Sequence, residues 1–520
     1  MNKVCFRRLS QSFCALLLGL SGCASEGLRD VQLPPTPNLN PPKDEALSVA
    51  HREIFVDLQL KRDRCEDYDP ATRRCGGGKH TALRRLNPAA ETASAGDRVL
   101  VREGVIREQF APRVSGAEGR PVTFMPYRGE RVVFRDIDKP AWLLNGNYYL
   151  VLEGFYLERV IGWARLENAH YNEIRNNTFR EALARGTTGG LKLVNSHYNR
   201  IEGNRFERGN DSLVLQASDR NLVADNRFEW ARHSLLSLRC GNYNVIRGNQ
   251  FHNQRQKAME VYDCEAVSDA PYRLDATKRN LIEGNLFNHT RGSSRSYKYN
   301  AIQYAGQLGI VRHNLFRDNQ GGGINLSVYA DEALYNYGQR IYSNTFYDNR
   351  CFALISGSRG GSRVGGHAML NNLFYKNLDC EGGDRQVELL WQGLDEERNA
   401  LVEVDPGFVD EAGGDLRLRA SSPWVDRGVF LTHTLAKGQG RRLPVADPAF
   451  FFDGGDVPGV TGDEIMLEGA PIRARVLEVD FATGSLLLDR ELQWRQGQGV
   501  SLVYGGGAPD MGAYEIPISE

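Results

Sequence analysis

The sequence predicts an all-β protein whose body is a right-handed parallel β-helix, a solenoid of stacked three-stranded rungs. Two observations lead to this fold class: a short motif recurs at a nearly constant interval, and apolar residues alternate with polar ones inside it. Glycine accounts for 55 of the 520 residues, which suits a protein with many turns. The net charge is −1, so the composition provides no basic surface for nucleic acid, and we expect no such partner.

The recurring motif ends in Asn-x-Phe. Its shortest intervals are 22 and 23 residues, between Asn204, Asn226 and Asn249, which is about one rung of three strands and three turns. We expect the phenylalanines to stack inside the solenoid. We expect each asparagine to occupy a left-handed turn and to bond its counterpart in the next rung. A leucine-rich solenoid is the alternative, but its L-x-x-L-x-L pattern is absent from the sequence. The motif asparagines are Asn177, Asn204, Asn226, Asn249, Asn285, Asn314, Asn344 and Asn372.

Residues 1–22 have the features of a bacterial lipoprotein signal peptide: a basic start, a short apolar run, and small residues before Cys23. Cys23 is the expected lipidation site, and residues 23–47 form a proline-rich tether. The alternative is an ordinary cleaved signal peptide with an incidental cysteine. Because Ala24 follows the cysteine, resemblance to known lipoproteins implies anchoring in the outer membrane. We therefore expect a protein of the cell envelope that contacts the membrane only through its lipid.

Cysteine usage agrees with export. Of nine cysteines, two leave with the signal peptide and Cys23 takes the lipid, so an even set of six remains for an oxidising compartment. Their places relative to the repeat predict three disulfides, and stacked free thiols are the alternative. The predicted pairs are Cys65 with Cys75, Cys240 with Cys264, and Cys351 with Cys380.

The β-helix is predicted over residues 48–430, with an amphipathic cap helix from Thr81 to Ala95. Residues 431–520 are predicted to form a small β-barrel or sandwich. This prediction rests on short alternating segments with glycine turns between Gly462 and Tyr504. Such a domain is expected to cover the open end of the solenoid.

These rungs resemble the right-handed parallel β-helix proteins, a group that includes many polysaccharide lyases, epimerases and hydrolases. The segment from Ala95 to Gly104 is similar to the entry motif of the chondroitinase B and alginate lyase family. That resemblance implies the fold more than the activity. The family uses Ca²⁺ held by acidic residues, together with a lysine and an arginine. Glu260 occupies the expected acidic place, but Tyr262 and Asp263 stand where the lysine is expected.

One strand of each rung presents its middle residues outward, because its flanking apolar residues point inward. Residues of two neighbouring outward columns suit an acidic glycan, although an ordinary solvated face would look similar. The first column contains Lys192, Val214, Ser237, Glu260, Gln303 and Asn325, and the second contains Val194, Gln216, Arg239, Tyr262, Ala305 and Ser327.

The longest insertions fall between Phe251 and Phe346 and hold further basic residues, among them Arg291, Arg295 and Lys298. We expect a groove centred on Glu260, an outward-facing carboxylate that either holds Ca²⁺ or pairs with Arg239 on the adjacent rung. His233 is another candidate base, but a lone histidine is more often structural. Predicted catalytic residues are Glu260, Arg239, Tyr262 and Lys298, with Glu260 also the metal ligand. Predicted substrate-binding residues are Lys192, Gln216, Gln303, Asn325, Arg291 and Arg295.

We therefore expect a monomeric protein that binds an acidic polysaccharide and modifies it by β-elimination or C5 epimerisation, reactions that need a cation for the carboxylate and a base. A non-catalytic glycan-binding or surface-interaction protein is the first alternative. A glycoside hydrolase or a structural envelope protein is the second. Paired aspartates for hydrolysis are not evident at any repeat-aligned place in the sequence.

Overall fold

Short parallel strands stack into three long sheets, here called sheets A, B and C, which form the walls of a parallel β-helix. The computed structural model describes residues 52–184, 189–262, 277–290, 299–326, 336–356, 364–389, 394–395 and 397–516. Strands of two to six residues suffice because each rung buries its apolar face against the rungs above and below.

Sheet A opens with a small antiparallel region at the N-terminal end and is parallel from there onward. Its strands are Glu53–Val56, Arg64–Asp69, Arg74–Cys75, His80–Leu83, Arg98–Val101, Val122–Pro126, Leu150–Glu153, Glu173–Arg175, Arg200–Glu202, Leu222–Ala224, Val245–Arg247, Leu281–Glu283, Ile310–Arg312, Arg340–Tyr342 and Ala368–Leu370.

Sheets B and C are parallel throughout their described strands. Sheet B comprises Gly104–Ile106, Val132–Arg135, Tyr156–Val160, Thr178–Ala182, Arg205–Glu207, Arg227–Glu229, Gln250–His252, Leu286–Asn288, Leu315–Arg317, Thr345–Tyr347, Leu373–Tyr375 and Ala400–Val402. Sheet C comprises Pro140–Asn145, Gly162–Glu167, Leu191–Val194, Asp211–Gln216, Ser234–Arg239, Lys257–Tyr262, Ile302–Tyr304, Ile324–Leu326, Leu354–Ser356 and Val387–Glu388. Two further sheets have two strands each: Asn336–Tyr337 pairs with Val364–Gly365, and Phe408–Asp410 pairs with Asp415–Leu418.

The phenylalanine stack is confirmed. Phe206, Phe228 and Phe251 pair in register on sheet B, and their ring centroids lie 4.7 and 5.0 Å apart in nearly parallel planes. The same stack extends from Phe179 to Phe374 at similar spacing. The spacing matches the strand separation of a sheet, so equal side chains at equal places in each rung lie face to face.

The asparagine ladder is also confirmed, with one correction. Asn226 donates from Nδ2 to Asn249 Oδ1 at 3.0 Å, and its backbone N–H donates to the same oxygen. These buried amides are therefore satisfied between rungs. The left-handed residue, however, is the one before the ladder asparagine: Asp225 has φ 54° and Gly248 has φ 66°. The asparagine therefore supplies the hydrogen bonds, while its predecessor makes the turn.

The N-terminal cap helix is shorter than predicted and spans Leu86–Thr92. The predicted start fails because Thr81 belongs to a strand and pairs with Ile54 in sheet A. Leu86, Ala89 and Ala90 are buried against the first rungs. Short 3₁₀ turns occur at Tyr127–Gly129 and Pro448–Phe450. None of the described helices is both long enough and apolar enough to span a membrane.

The C-terminal strands form a six-stranded antiparallel sheet. A bridge between Thr434 and Val445 joins its two edge strands, so the sheet closes as a small barrel, one of the two forms predicted. Its strands are Thr432–His433, Gly438–Pro444, Glu464–Leu467, Ala470–Asp480, Ser485–Trp494 and Gly499–Leu502.

The barrel packs against the flank of the β-helix, and the predicted position over the open end is wrong. One apolar cluster joins barrel residues such as Ile465 and Leu486 to outward residues of sheet A such as Leu281 and Ile310. The outer face of sheet A is apolar along these rungs, so packing the barrel there removes that surface from water.

A buried ion network ties the barrel to sheet A. Arg312 donates two hydrogen bonds to Asp463 at 2.6 and 2.7 Å and one to Glu283 at 2.6 Å. It also donates to the Tyr342 hydroxyl at 2.9 Å. Burial raises the pKa of the Glu283 carboxyl, but the charges of Arg312 and Arg247 outweigh it, and the pKa falls to about 2.

Two of the three predicted disulfides are present, Cys65–Cys75 and Cys351–Cys380. Cys240 is buried and disulfide-bonded, but its predicted partner Cys264 lies outside the described residues, so that pairing stays a prediction. The tether and Cys23 also lie outside the described residues.

Candidate functional site

The outward columns of sheet C have the predicted register. Glu260 pairs with Ser237 on one side and with Gln303 on the other, and Arg239 pairs with Tyr262. Lys192, Gln216 and Asn325 occupy their predicted places in these columns. The predicted groove floor is thus assembled, although most of its side chains are buried rather than solvent-facing: Lys192, Gln216, Ser237, Glu260, Tyr262 and Asn325.

Glu260 is fully buried, with 0% exposure, which contradicts the expectation of a surface carboxylate. Lys257 Nζ donates to Glu260 Oε1 at 2.6 Å, and Ser237 Oγ donates to Oε2 at 3.2 Å. Burial alone would raise the pKa of the Glu260 carboxyl. The charges of Lys257 and His233 and hydrogen bonds from Lys257 and Tyr262 outweigh burial, so this pKa is lowered. Glu260 is therefore ionised, and its negative charge is balanced by the neighbouring Lys257.

Asp211 and His233 form a second pair beside Glu260. His233 Nδ1 lies 2.7 Å from Asp211 Oδ1, and Nε2 lies 3.7 Å from Glu260 Oε1. Asp211 is buried and also accepts from the Ser234 hydroxyl at 2.9 Å, whereas the His233 side chain is 38% exposed. The hydrogen bond to Asp211 raises the pKa of His233. Burial lowers this pKa and the charge of Glu260 raises it further, so the pKa lies above its usual value.

Arg239 contacts Asp211 rather than Glu260, which corrects the predicted pairing. Its Nη2 lies 3.5 Å from Asp211 Oδ2 and 3.3 Å from Ser237 Oγ. The guanidinium also lies over the Tyr262 ring, 5.3 Å from the centroid. Asp211 pairs with Ser234, so its rung adjoins that of Arg239 on the side opposite to the rung of Glu260, and the guanidinium reaches the Asp211 carboxylate.

The groups around Glu260 do not suit the Ca²⁺ that the resemblance implies. Ca²⁺ takes roughly 6–8 oxygen ligands, whereas the Glu260 carboxylate faces the cationic Lys257 and the raised-pKa His233. Within the described residues, the only metal-competent group of three or more His, Cys, Asp or Glu side chains contains Cys65 and Cys75, which are disulfide-bonded.

Several predicted residues lie outside the described ranges: Lys298, Arg291 and Arg295. Lys257 and Asp211 are not among the site residues predicted from the sequence, and His233 is predicted only as an alternative base. A signal for them exists in the sequence: Asp211, Ser234 and Lys257 each stand three residues before a member of the first outward column and pair in register. These three polar residues therefore form a column of their own, three residues N-terminal to the first outward column.

A match at 42% identity over 57 residues links this chain to the uncharacterized protein YwoF of Bacillus subtilis (strain 168); it spans 11% of this chain and 12% of that relative. Among solved structures, pectate lyase Pel9A matches 90% of this chain and 97% of its own, at 12% identity and a TM-score of 0.47.

Two further structures are similar. An alginate lyase from Paenibacillus sp. str. FPU-7 covers 59% of this chain and 95% of its own, at 13% identity and a TM-score of 0.38. The catalytic domain of a GH87 α-1,3-glucanase covers 54% and 57%, at 14% identity and a TM-score of 0.38. Residues 164–380, which carry the candidate site, match the family model described as right-handed beta helix region, and the predicted fold class is confirmed.

Proposed function

We propose that this protein acts on a uronate-containing polysaccharide by removing the C5 proton of the sugar, the step shared by β-elimination and C5 epimerisation. The observation that carries the proposal is His233: a partly exposed imidazole held between two buried carboxylates on the outward face of sheet C. An imidazole oriented by a carboxylate is a common general base.

The neighbouring residues supply the other requirements of this step. Asp211 binds His233 Nδ1, which leaves Nε2 as the basic nitrogen. Nε2 lies 3.7 Å from Glu260, beyond hydrogen-bond distance, so it can accept a proton from a substrate. Arg239 provides the cation that neutralises the uronate carboxylate and makes the C5 proton more acidic.

The two carboxylates argue against a glycoside hydrolase. Such an enzyme needs one carboxylic acid with a raised pKa to protonate the leaving oxygen. Burial alone would raise the pKa of Asp211. The net effect is a lowered pKa, because His233 provides a hydrogen bond and a charge, Ser234 a hydrogen bond and Arg239 a charge. The Glu260 pKa is lowered as well, by Lys257 and His233 against burial.

The test is turnover of acidic polysaccharides by wild type, His233→Ala and Asp211→Asn. Galacturonan, alginate and chondroitin are the substrates, and cellulose is the uncharged control. Ultraviolet absorbance of unsaturated uronate reports elimination, and exchange of the C5 proton in D₂O reports epimerisation. His233→Ala should lower kcat about 100-fold or more. His252→Ala is the matched control, because His252 is an outward histidine on sheet B.

The pH profile provides an independent readout. If His233 is the base, turnover should rise with pH through the pKa of His233, which lies above its usual 6.5. Equal turnover by wild type and His233→Ala would contradict the proposal. New reducing ends without absorbance or C5 exchange would indicate a hydrolase, and binding without any turnover would indicate a glycan-binding protein.

We also propose that the protein is exported and anchored in the outer membrane by lipid on Cys23. The support is the apolar run ending at a cysteine, and the disulfides Cys65–Cys75 and Cys351–Cys380, which suit an oxidising compartment. Labelling with a radioactive fatty acid should mark wild type but not Cys23→Ser, and membrane fractionation should recover wild type with the outer membrane. Unlabelled wild type would contradict this proposal.

A further inference from the structure

A cleft of about 540 Å³ opens at the turn between sheets B and C, beside the Asp211–His233 pair. Its volume lies within the roughly 300–1,000 Å³ typical of small-molecule sites. The cleft adjoins the proposed reacting group, because Arg232 in its wall directly precedes His233 in the chain. The side chains that shape its chemistry are Leu183, Arg208, Trp230, Arg232 and Arg255.

The cleft carries an excess of positive charge. Arg208 pairs with Glu181 at 2.9 Å, and both side chains are partly exposed. Within the part of the chain that the structure describes, neither Arg232 nor Arg255 forms an ion pair. A guanidinium presents paired donors that match the two oxygens of a carboxylate or sulfate, so two uncompensated arginines suit an anionic ligand.

The cleft also carries apolar surface. Trp230 is 44% exposed and Leu183 is 53% exposed. Trp230 has φ 56°, and the same left-handed turn holds Arg208 in the preceding rung and Asn253 in the next one. The turn thus holds an indole ring at the surface, where its face can pack against the C–H face of a sugar.

We propose that this cleft is a binding subsite for one anionic sugar of the polymer. Trp230 packs against the sugar ring, and Arg232 and Arg255 bind its carboxylate or sulfate. The inference rests on the proposed function for the nature of the polymer, and it adds a subsite adjacent to His233. The polymer then crosses the turn between sheets B and C as well as the outward columns of sheet C.

The test is titration calorimetry on the full chain with oligogalacturonate, sulfated chondroitin oligosaccharide and uncharged cello-oligosaccharide. The variants are Trp230→Ala and the double change Arg232→Gln with Arg255→Gln. Each should raise the Kd for the anionic oligomers about tenfold, and the double variant should also bind with a weaker dependence on salt. Tyr514→Ala is the matched aromatic control, and Arg113→Gln with Arg120→Gln is the matched arginine control; both should bind like wild type.

The outcomes separate the subsite from the proposed function. If wild type binds an anionic oligomer and both cleft variants bind it equally well, the subsite is refuted while the proposed function stands. If wild type binds neither anionic oligomer, the subsite is refuted, and the turnover assay on alginate still decides the proposed function. Equal affinity for the uncharged oligosaccharide refutes the role of the arginines. Binding of oligogalacturonate assigns the anion as carboxylate, and binding of only the sulfated oligomer assigns it as sulfate; either supports the subsite.

Discussion

Lys257 and Glu260 form a buried ion pair on sheet C, and removing either charge should destabilise the β-helix. Their charged atoms lie 2.6 Å apart, with side-chain exposures of 11% and 0%. At an effective dielectric constant of about 20, the Coulomb attraction at this distance is about 6 kcal/mol. Desolvation offsets part of it, but a lone buried charge left behind typically costs about 3–5 kcal/mol. We expect that loss from Lys257→Met and from Glu260→Gln.

The double variant distinguishes a buried pair from two independent effects. With both charges removed, no unpaired charge remains, so the free energy of unfolding should return to within about 1–2 kcal/mol of wild type. Urea unfolding followed by circular dichroism measures all four proteins. Arg417→Gln is the control, because Arg417 pairs with Asp415 at the surface with 63% exposure, and its free energy of unfolding should stay close to that of wild type.

Two results would refute this reasoning. The first is a loss below about 1 kcal/mol in each single variant, which would mean that water reaches Glu260. The second is additivity, with the double variant losing the sum of the two single losses. The prediction also bears on functional tests, since Glu260→Gln is not a harmless surface change and its activity is interpretable only once its folding has been measured.

Three further predictions follow from the fold. Phe228→Ala removes a fully buried ring whose neighbours lie 4.7 and 5.0 Å away, and urea unfolding should record a loss of about 3–5 kcal/mol; a loss below about 1 kcal/mol would contradict the stack. The pKa of Glu283 falls from its usual 4.5 to about 2, so its ionised form stabilises the fold fully above pH 4.5, and about 3 kcal/mol of the free energy of unfolding should be lost as the pH falls towards 2. Glu283→Gln should lack this part of the acid sensitivity. The same pH profile in wild type and variant would contradict the pairing with Arg312. Mass mapping of unreduced peptides should join Cys240 to Cys264, and a free thiol at Cys264 would exclude the pair.

Much of the solenoid could be predicted from the sequence, because its information is local and repeated. A rung of about 22 residues places Phe206 over Phe228 and Asn204 over Asn226, and their spacing alone indicates this stacking. The short alternating segments of the C-terminal region likewise predicted a small barrel or sandwich, and the structure shows the barrel. The same reasoning placed Gln303 and Asn325 in one column with Glu260, since parallel register follows directly from aligned repeats.

Features that depend on distant pairing could not be predicted in this way. The cap helix begins only at Leu86 because Thr81 pairs with Ile54, which is far away in sequence. The barrel lies on the flank of sheet A, where apolar residues of both pack together and where Arg312 and Asp463, 151 residues apart, meet. The sequence repeat predicts neither contact.

The candidate site shows the same division. The repeat determined that Glu260 lies on the outward column of sheet C, but only the tertiary structure decided that it is buried and bound by Lys257. Likewise, the sequence presented His233 as a lone histidine, and the fold placed it between Asp211 and Glu260. The physical reason is that a column position depends on strand register, which the repeat encodes. Charge pairing and burial depend on which side chains of neighbouring rungs converge in space, and that is decided only when the rungs stack.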